Sequence, residues 1–80
     1  MQAGRYAEAV PLLRQAVDSY PAGSQDIEYA YALFNLGASL NRSGNPEAAI
    51  PYLEKRLEWA DQRKTVEKEL KDARKRAGKA

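Results

Sequence analysis

The chain carries one phrase twice. Residues 3–13 read AGRYAEAVPLL and residues 43–53 read SGNPEAAIPYL. At an offset of 40, Gly4 meets Gly44, Ala9 meets Ala49, Pro11 meets Pro51 and Leu13 meets Leu53, with Val10 and Ile50 close equivalents. Self-similarity at a period of roughly 20–50 residues marks stacked structural repeats. This constrains the fold more than composition does, because a single repeat buries its apolar face only against a neighbour. The two copies are framed differently. A long helical pattern precedes the second, whereas Met1 and Gln2 precede the first.

Apolar spacing divides the chain into four expected helices, 5–20, 25–42, 46–59 and 63–77. In the first, Ala9, Leu13, Ala16 and Val17 recur on one face, and Tyr20-Pro21-Ala22-Gly23 ends it. Ser24 is the expected N-cap of the second, with Asp26 and Glu28 suited to the positive end of its dipole. Leu33, Leu36, Gly37 and Leu40 form its apolar stripe, and Ser43-Gly44 stops it, glycine being free to turn left-handed. Asn45 and Pro46 open the third helix as cap and first helical residue. Ala49, Leu53 and Leu57 carry its buried side, and Trp59 is expected at the seam with the last helix. Val66, Leu70, Ala73 and Ala77 give that helix a narrow stripe. Glu67 with Lys71, and Asp72 with Arg76, stand four apart with the acid first, the favourable order for helix ion pairs.

Pro11 and Pro51 fall about six residues into their helices. Each removes an N–H and crowds the carbonyl four residues back, at Ala7 or Glu47. Their recurrence in both copies reads as a mild bend that the architecture tolerates.

Eighty residues make one small domain at most, burying roughly 60% of the surface of the unfolded chain. Cysteine and histidine are both absent. That excludes disulfides and thiolate metal sites, the commonest general base and the usual near-neutral pH switch. No apolar run approaches the ~18 residues of a membrane span and no signal-peptide pattern opens the chain. The expectation is a soluble, cytoplasmic, all-α protein with no cofactor, no metal and no membrane partner. The net charge of +2 is unevenly placed, with +4 in residues 61–80 and −2 in the first sixty.

The residues Leu33-x2-Leu36-Gly37-x2-Leu40, then Gly44, then Ala49-x3-Leu53 resemble the tetratricopeptide repeat. The phrase NLGASLNRSGNPEAAIPYLEKRLE, residues 35–58, is similar to that repeat along its length. Residues 4–21 resemble the second helix of a preceding unit through Gly4, Tyr6, Ala9, Leu13, Ala16 and Pro21. The likeness covers residues 1 to about 60. It implies antiparallel helical hairpins of a right-handed superhelix in one domain, residues 1–80. Residues 1–23 form the second half of a truncated repeat, 24–60 one complete repeat and 61–80 a C-terminal capping helix. Ala9, Gly37 and Ala49 are the small residues that let backbones approach, so that Leu33, Leu36, Leu40 and Leu53 interlock.

Three departures stand out. The period is 40 where the usual unit has about 34 residues; periods of about this length are known from bacterial arrays of the family. Arg56 occupies a place that the first copy fills with Ala16 and the family keeps small, so it must snorkel or mark a changed contact. Trp59-Ala60-Asp61 replaces the expected Asp-Pro ending, as if the array stops there and needs a polar cap.

The resemblance implies a non-enzymatic protein–protein interaction module that holds a peptide or partner helix in a groove. It would place Tyr31, Phe34, Asn35, Ala38 and Arg42 in that groove, opposite the apolar stripe. The alternative for each is ordinary packing or solvation. The basic tail invites a nucleic-acid reading, but four acids interleave with its cations and no aromatic lies in residues 61–80. Glu8, Glu47 and Glu54, the acids open to an enzymatic reading, sit on regular helical surface.

A first helix without its partner leaves part of Tyr6, Val10 and Leu13 open. Fully burying such a side chain is worth about 1.5–3 kcal/mol, so these three residues are the expected association surface. Either the chain is the C-terminal end of a longer array, of the kind that by resemblance decorates bacterial signalling proteins, kinases included. Or it self-associates as a homo-oligomer, by pairing or by helix exchange. A designed or trimmed scaffold is the third alternative.

Overall fold

The computed structural model describes residues 3–78. Met1, Gln2, Lys79 and Ala80, which the expected domain includes, lie outside the described residues. Four helices follow one another, α1 (Ala3–Asp18), α2 (Ile27–Arg42), α3 (Pro46–Arg56) and α4 (Arg63–Arg76). No strand occurs among the described residues, so the chain is all-α.

The helix ends differ from the sequence expectation for local reasons. Asp26, not Ser24, caps α2: its carboxylate accepts from Glu28 N at 3.5 Å. Ser24 acts one step earlier, its hydroxyl accepting from Asp26 N at 3.2 Å. The turn between α2 and α3 closes with Asn45 N donating to Leu40 O at 2.8 Å and Gly44 N to Asn41 O at 3.3 Å. Gly44 sits at φ 98°, as this double-bonded helix stop requires. Asn45 takes the cap position of α3 without a side-chain hydrogen bond, and Pro46 opens the helix. Residues 57–59 do not continue α3. Their N–H groups bond three residues back, to Glu54, Lys55 and Arg56, the tightened last turn common at helix ends.

Pro11 and Pro51 lie inside α1 and α3. Both are exposed, as are Ala7 and Glu47, whose carbonyls they release. The lost bonds therefore face water, and the helices run through them.

Each helix packs on the next in the chain, and α4 also reaches α2; α1 and α3 do not touch. The pairings run antiparallel. Tyr6 of α1 meets Arg42 at the far end of α2, and Tyr20 stacks on Tyr29 at its start with centroids 5.1 Å apart. The core gathers around α2: Tyr29, Ala32, Leu33, Leu36 and Leu40 join Val17 of α1, Ala49 and Leu53 of α3, and Leu70 and Ala73 of α4. Gly37 sits where α2 crosses α3. A Cβ there would stand 2.7 Å from Leu53 Cγ and 2.8 Å from Cδ2, so glycine sets the approach of the two helices.

Trp59 packs elsewhere than at the expected seam. Its ring edge meets Tyr29 at 5.8 Å and its Nε1 donates to Gln25 O at 3.2 Å. It closes the start of α2 against the end of α3.

Candidate functional site

The central helix is buried almost all round, as expected of an element with neighbours on several sides. Beyond its first turn, the partly open residues are Tyr31, Phe34, Asn35 and Arg42. Tyr31 is 51% exposed, unusual for so large an aromatic, and Phe34 is half-buried. These two and Asn35 line a cleft of about 450 Å³ whose other wall comes from Arg56, Gln62, Thr65 and Val66. Tyr31 and Phe34 supply its open apolar surface, Val66 being almost fully buried, and Asn35, Gln62 and Thr65 its neutral hydrogen-bonding groups. The cleft thus lies between α2 and the first turn of α4.

Two features fix that wall. Gln62 precedes α4 in the left-handed region, φ 56°, which non-glycine residues rarely adopt. Arg56 is 2% exposed. It neither snorkels nor reaches the solvent: its guanidinium turns inward to bind the chain that follows. Nη2 donates to Asp61 O at 3.1 Å and to Asp61 Oδ2 at 3.2 Å, and Nη1 to Trp59 O at 3.4 Å. The lone charged side chain of the cleft is therefore spent on the α3–α4 turn.

Ala38 and Arg42 stand outside the cleft. Ala38 is buried and presents almost no surface. Arg42 belongs to a polar network at the other end of α2. It pairs with Glu69 at 2.7 Å and lies over the Tyr6 ring, 5.6 Å from its centroid, donating to the hydroxyl at 3.4 Å. The Glu69 hydrogen bond first, then that of Tyr6, push the already high Arg42 pKa higher. Asn41, fully buried, donates to Glu69 Oε2 at 2.8 Å and Asp72 Oδ2 at 2.9 Å. Arg76 completes the network with Asp72 at 2.9 Å and the Asn41 carbonyl at 3.4 Å. Asn41 Oδ1 and Arg56 Nε are buried without a partner among the described residues.

The network absorbs the acids of α4. Glu67 pairs with Arg63 at 3.4 Å, not with the expected Lys71. Arg74 takes Glu54 of α3 at 2.8 Å. Left over are Lys64, Lys68, Lys71 and Lys75, exposed and without a carboxylate partner among the described residues. Glu8 and Glu47 are exposed on helical surface. No cluster of metal-ligating side chains occurs among the described residues, and no helix there is long and apolar enough to cross a membrane.

On α1, Tyr6, Val10 and Leu13 are half-buried, and Val10 and Leu13 pack against the core. Among the described residues, the most exposed large apolar side chain is one that periodicity passed over, Leu12, at 69%.

Of the five residues expected to line a groove, Tyr31, Phe34 and Asn35 border this cleft and Ala38 and Arg42 do not, and the wall opposite was not expected. Val66 was legible as apolar stripe, but nothing in the sequence brought Thr65 and Gln62 opposite Phe34. Arg56 gave a signal, as a large cation where the first copy has Ala16. Asn41 and Glu69 gave none, because each resembles an ordinary surface residue until α4 is laid across α2.

Comparison with known proteins gives one finding. The sequence model of the tetratricopeptide repeat matches residues 1–62. Neither a curated protein nor a solved structure gives a match to this chain.

Proposed function

Since the chain belongs to the tetratricopeptide repeat family, whose members generally mediate protein–protein interactions, we propose that it is a non-enzymatic binding module. Its site is the α2–α4 cleft, and its ligand is a peptide or partner helix that inserts an uncharged apolar or aromatic side chain. The carrying observation is the exposed Tyr31 beside half-buried Phe34 over a cleft of about 450 Å³. A space of this size takes one or two side chains, with Asn35, Gln62 and Thr65 placed around it to bond a peptide backbone. The neutrality of the cleft supports an uncharged anchor. Arg56 is held by Asp61 and two carbonyls, and a buried carboxylate with no free cation would keep its full desolvation cost.

Peptides selected by display against the chain test this reading. Their consensus should carry an aromatic or branched aliphatic anchor without an acidic neighbour. Tyr31→Ala and Phe34→Ala should each weaken the best peptide about tenfold, as contact residues at a small interface do. Amide shifts upon titration should centre on residues 31–35 and 62–66. Shifts confined to α1 or to the lysine face of α4 would overturn the assignment.

A further inference from the structure

The outer face of α4 is charged in a way that works against the helix itself. Lys64, Lys68, Lys71 and Lys75 are exposed. They stand four, three and four residues apart, which sets them in one stripe opposite buried Val66, Leu70 and Ala73. Each lysine has another one turn away, and like charges at these spacings destabilise a helix. The acids that could relieve them are engaged elsewhere. Glu67, four residues before Lys71, pairs with Arg63, Glu69 with Arg42 and Asp72 with Arg76. The start of the helix adds to the excess. No acid stands in its first turn and Gln62 gives no side-chain cap, while Arg63 and Lys64 place cations where the helix dipole favours anions. No apolar side chain interrupts the stripe, so it is not a face that awaits packing. It is also separate from the cleft, whose wall on this side is Gln62, Thr65 and Val66.

We propose that this stripe docks an acidic helix of another protein, one with carboxylates at the same spacing. Along the axis the lysines are separated by about 6, 4.5 and 6 Å. A helix laid alongside with acids at i, i+4, i+7 and i+11 repeats that uneven rhythm, and does so in either direction. An extended strand offers charges on one face at an even ~7 Å. Other polyanions fit less well. The three arginines of α4, whose forks suit phosphate, are held by Glu67, Glu54 and Asp72, and no aromatic is present to stack on a base. A lipid surface holds a basic patch firmly only with a second, apolar anchor, which this face lacks. Exposed ion pairs are individually weak, so the complex is transient and sensitive to salt, and charge matching serves to choose the partner.

The probe is an alanine-based helical peptide with glutamates at i, i+4, i+7 and i+11, titrated into the full chain while backbone amides are followed. A control peptide carries the same four glutamates spread round its helix. Saturating shifts should fall on residues 63–76 and favour the first peptide. Binding should weaken at least ~10-fold as salt rises from about 20 to 200 mM, and by as much in the double variant Lys68→Gln with Lys71→Gln. Glutamine has nearly the helix propensity of lysine, so that variant should keep its helicity and, freed of like-charge neighbours, melt no lower than the parent at low salt. Absence of shifts, equal shifts with the control peptide, or a lower melting point of the variant overturns the proposal. Tighter binding to phosphatidylserine vesicles or to a DNA duplex than to the peptide at equal salt also overturns it and gives the stripe to lipid or phosphate. Shifts centred on residues 31–35 would belong to the cleft and overturn this assignment alone.

Discussion

Gly37 is where one hydrogen atom decides how near α2 and α3 stand. Alanine would improve helix propensity by up to about 1 kcal/mol. Its methyl would meet Leu53 at 2.7 Å, and overpacking of this kind costs about 1–3 kcal/mol. Gly37→Ala should therefore destabilise the chain by about 1 kcal/mol, read from the urea midpoint, and pairing it with Leu53→Ala should cost less than the sum of the two. Arg56 makes the opposite substitution informative. The first copy of the repeat uses Ala16 at this place, but Arg56→Ala would strip the Trp59 and Asp61 carbonyls of their donor and empty a buried volume. A loss of about 2–3 kcal/mol is expected, and Arg56→Lys should recover little, because one ammonium cannot replace a fork of donors. A variant as stable as the parent would show that the turn holds itself.

Among the elements, the α1–α2 hairpin and α4 are held by different chemistry. Tyr20 stacks on Tyr29, and its phenol pKa is raised above the ordinary 10.0, by burial first and then by the negative charges of Glu28 and Asp26. The fold favours the neutral phenol. Its contribution is complete below about pH 10 and is lost as pH climbs through the higher folded value. Alkaline titration of stability should accordingly fall less steeply above pH 10 in Tyr20→Phe than in the parent. α4 is instead fastened by the Asn41 network. Asn41→Ala leaves Glu69 and Asp72 without their shared donor, and amide exchange in α4 should quicken at least ~10-fold while α2 stays protected.

This contrast also explains what was legible in the sequence. The helices and Gly44 follow from periodicity and from steric demands that act within a few residues, and the close approach at Gly37 from what the resemblance to the repeat family implies. The polar network does not, because hydrogen bonds between residues 41 and 69 carry no periodicity. The extent of the cleft was half legible for the same reason: Tyr31, Phe34 and Asn35 share a helix face, whereas Gln62 and Thr65 arrive through a turn set by Arg56.

At the scale of the molecule, charge is sorted by partner. Every acid of α4 is bonded to an arginine or to Asn41, and the lysines remain. Four cations on one helix with no aromatic among them are a thin basis for holding nucleic acid. Fluorescence anisotropy with a labelled duplex should show at most weak binding at 50 mM salt that disappears by 200 mM; a salt-resistant complex would contradict this. The order of contacts has a mechanical meaning as well. α1 leans on one helix, while α2, α3 and α4 each lean on at least two. A force applied to the two ends would not meet them as equals. α1 should peel away first and at low tension, and the three-helix remainder should yield only when pulled harder, so the chain would extend in two steps, beginning with α1.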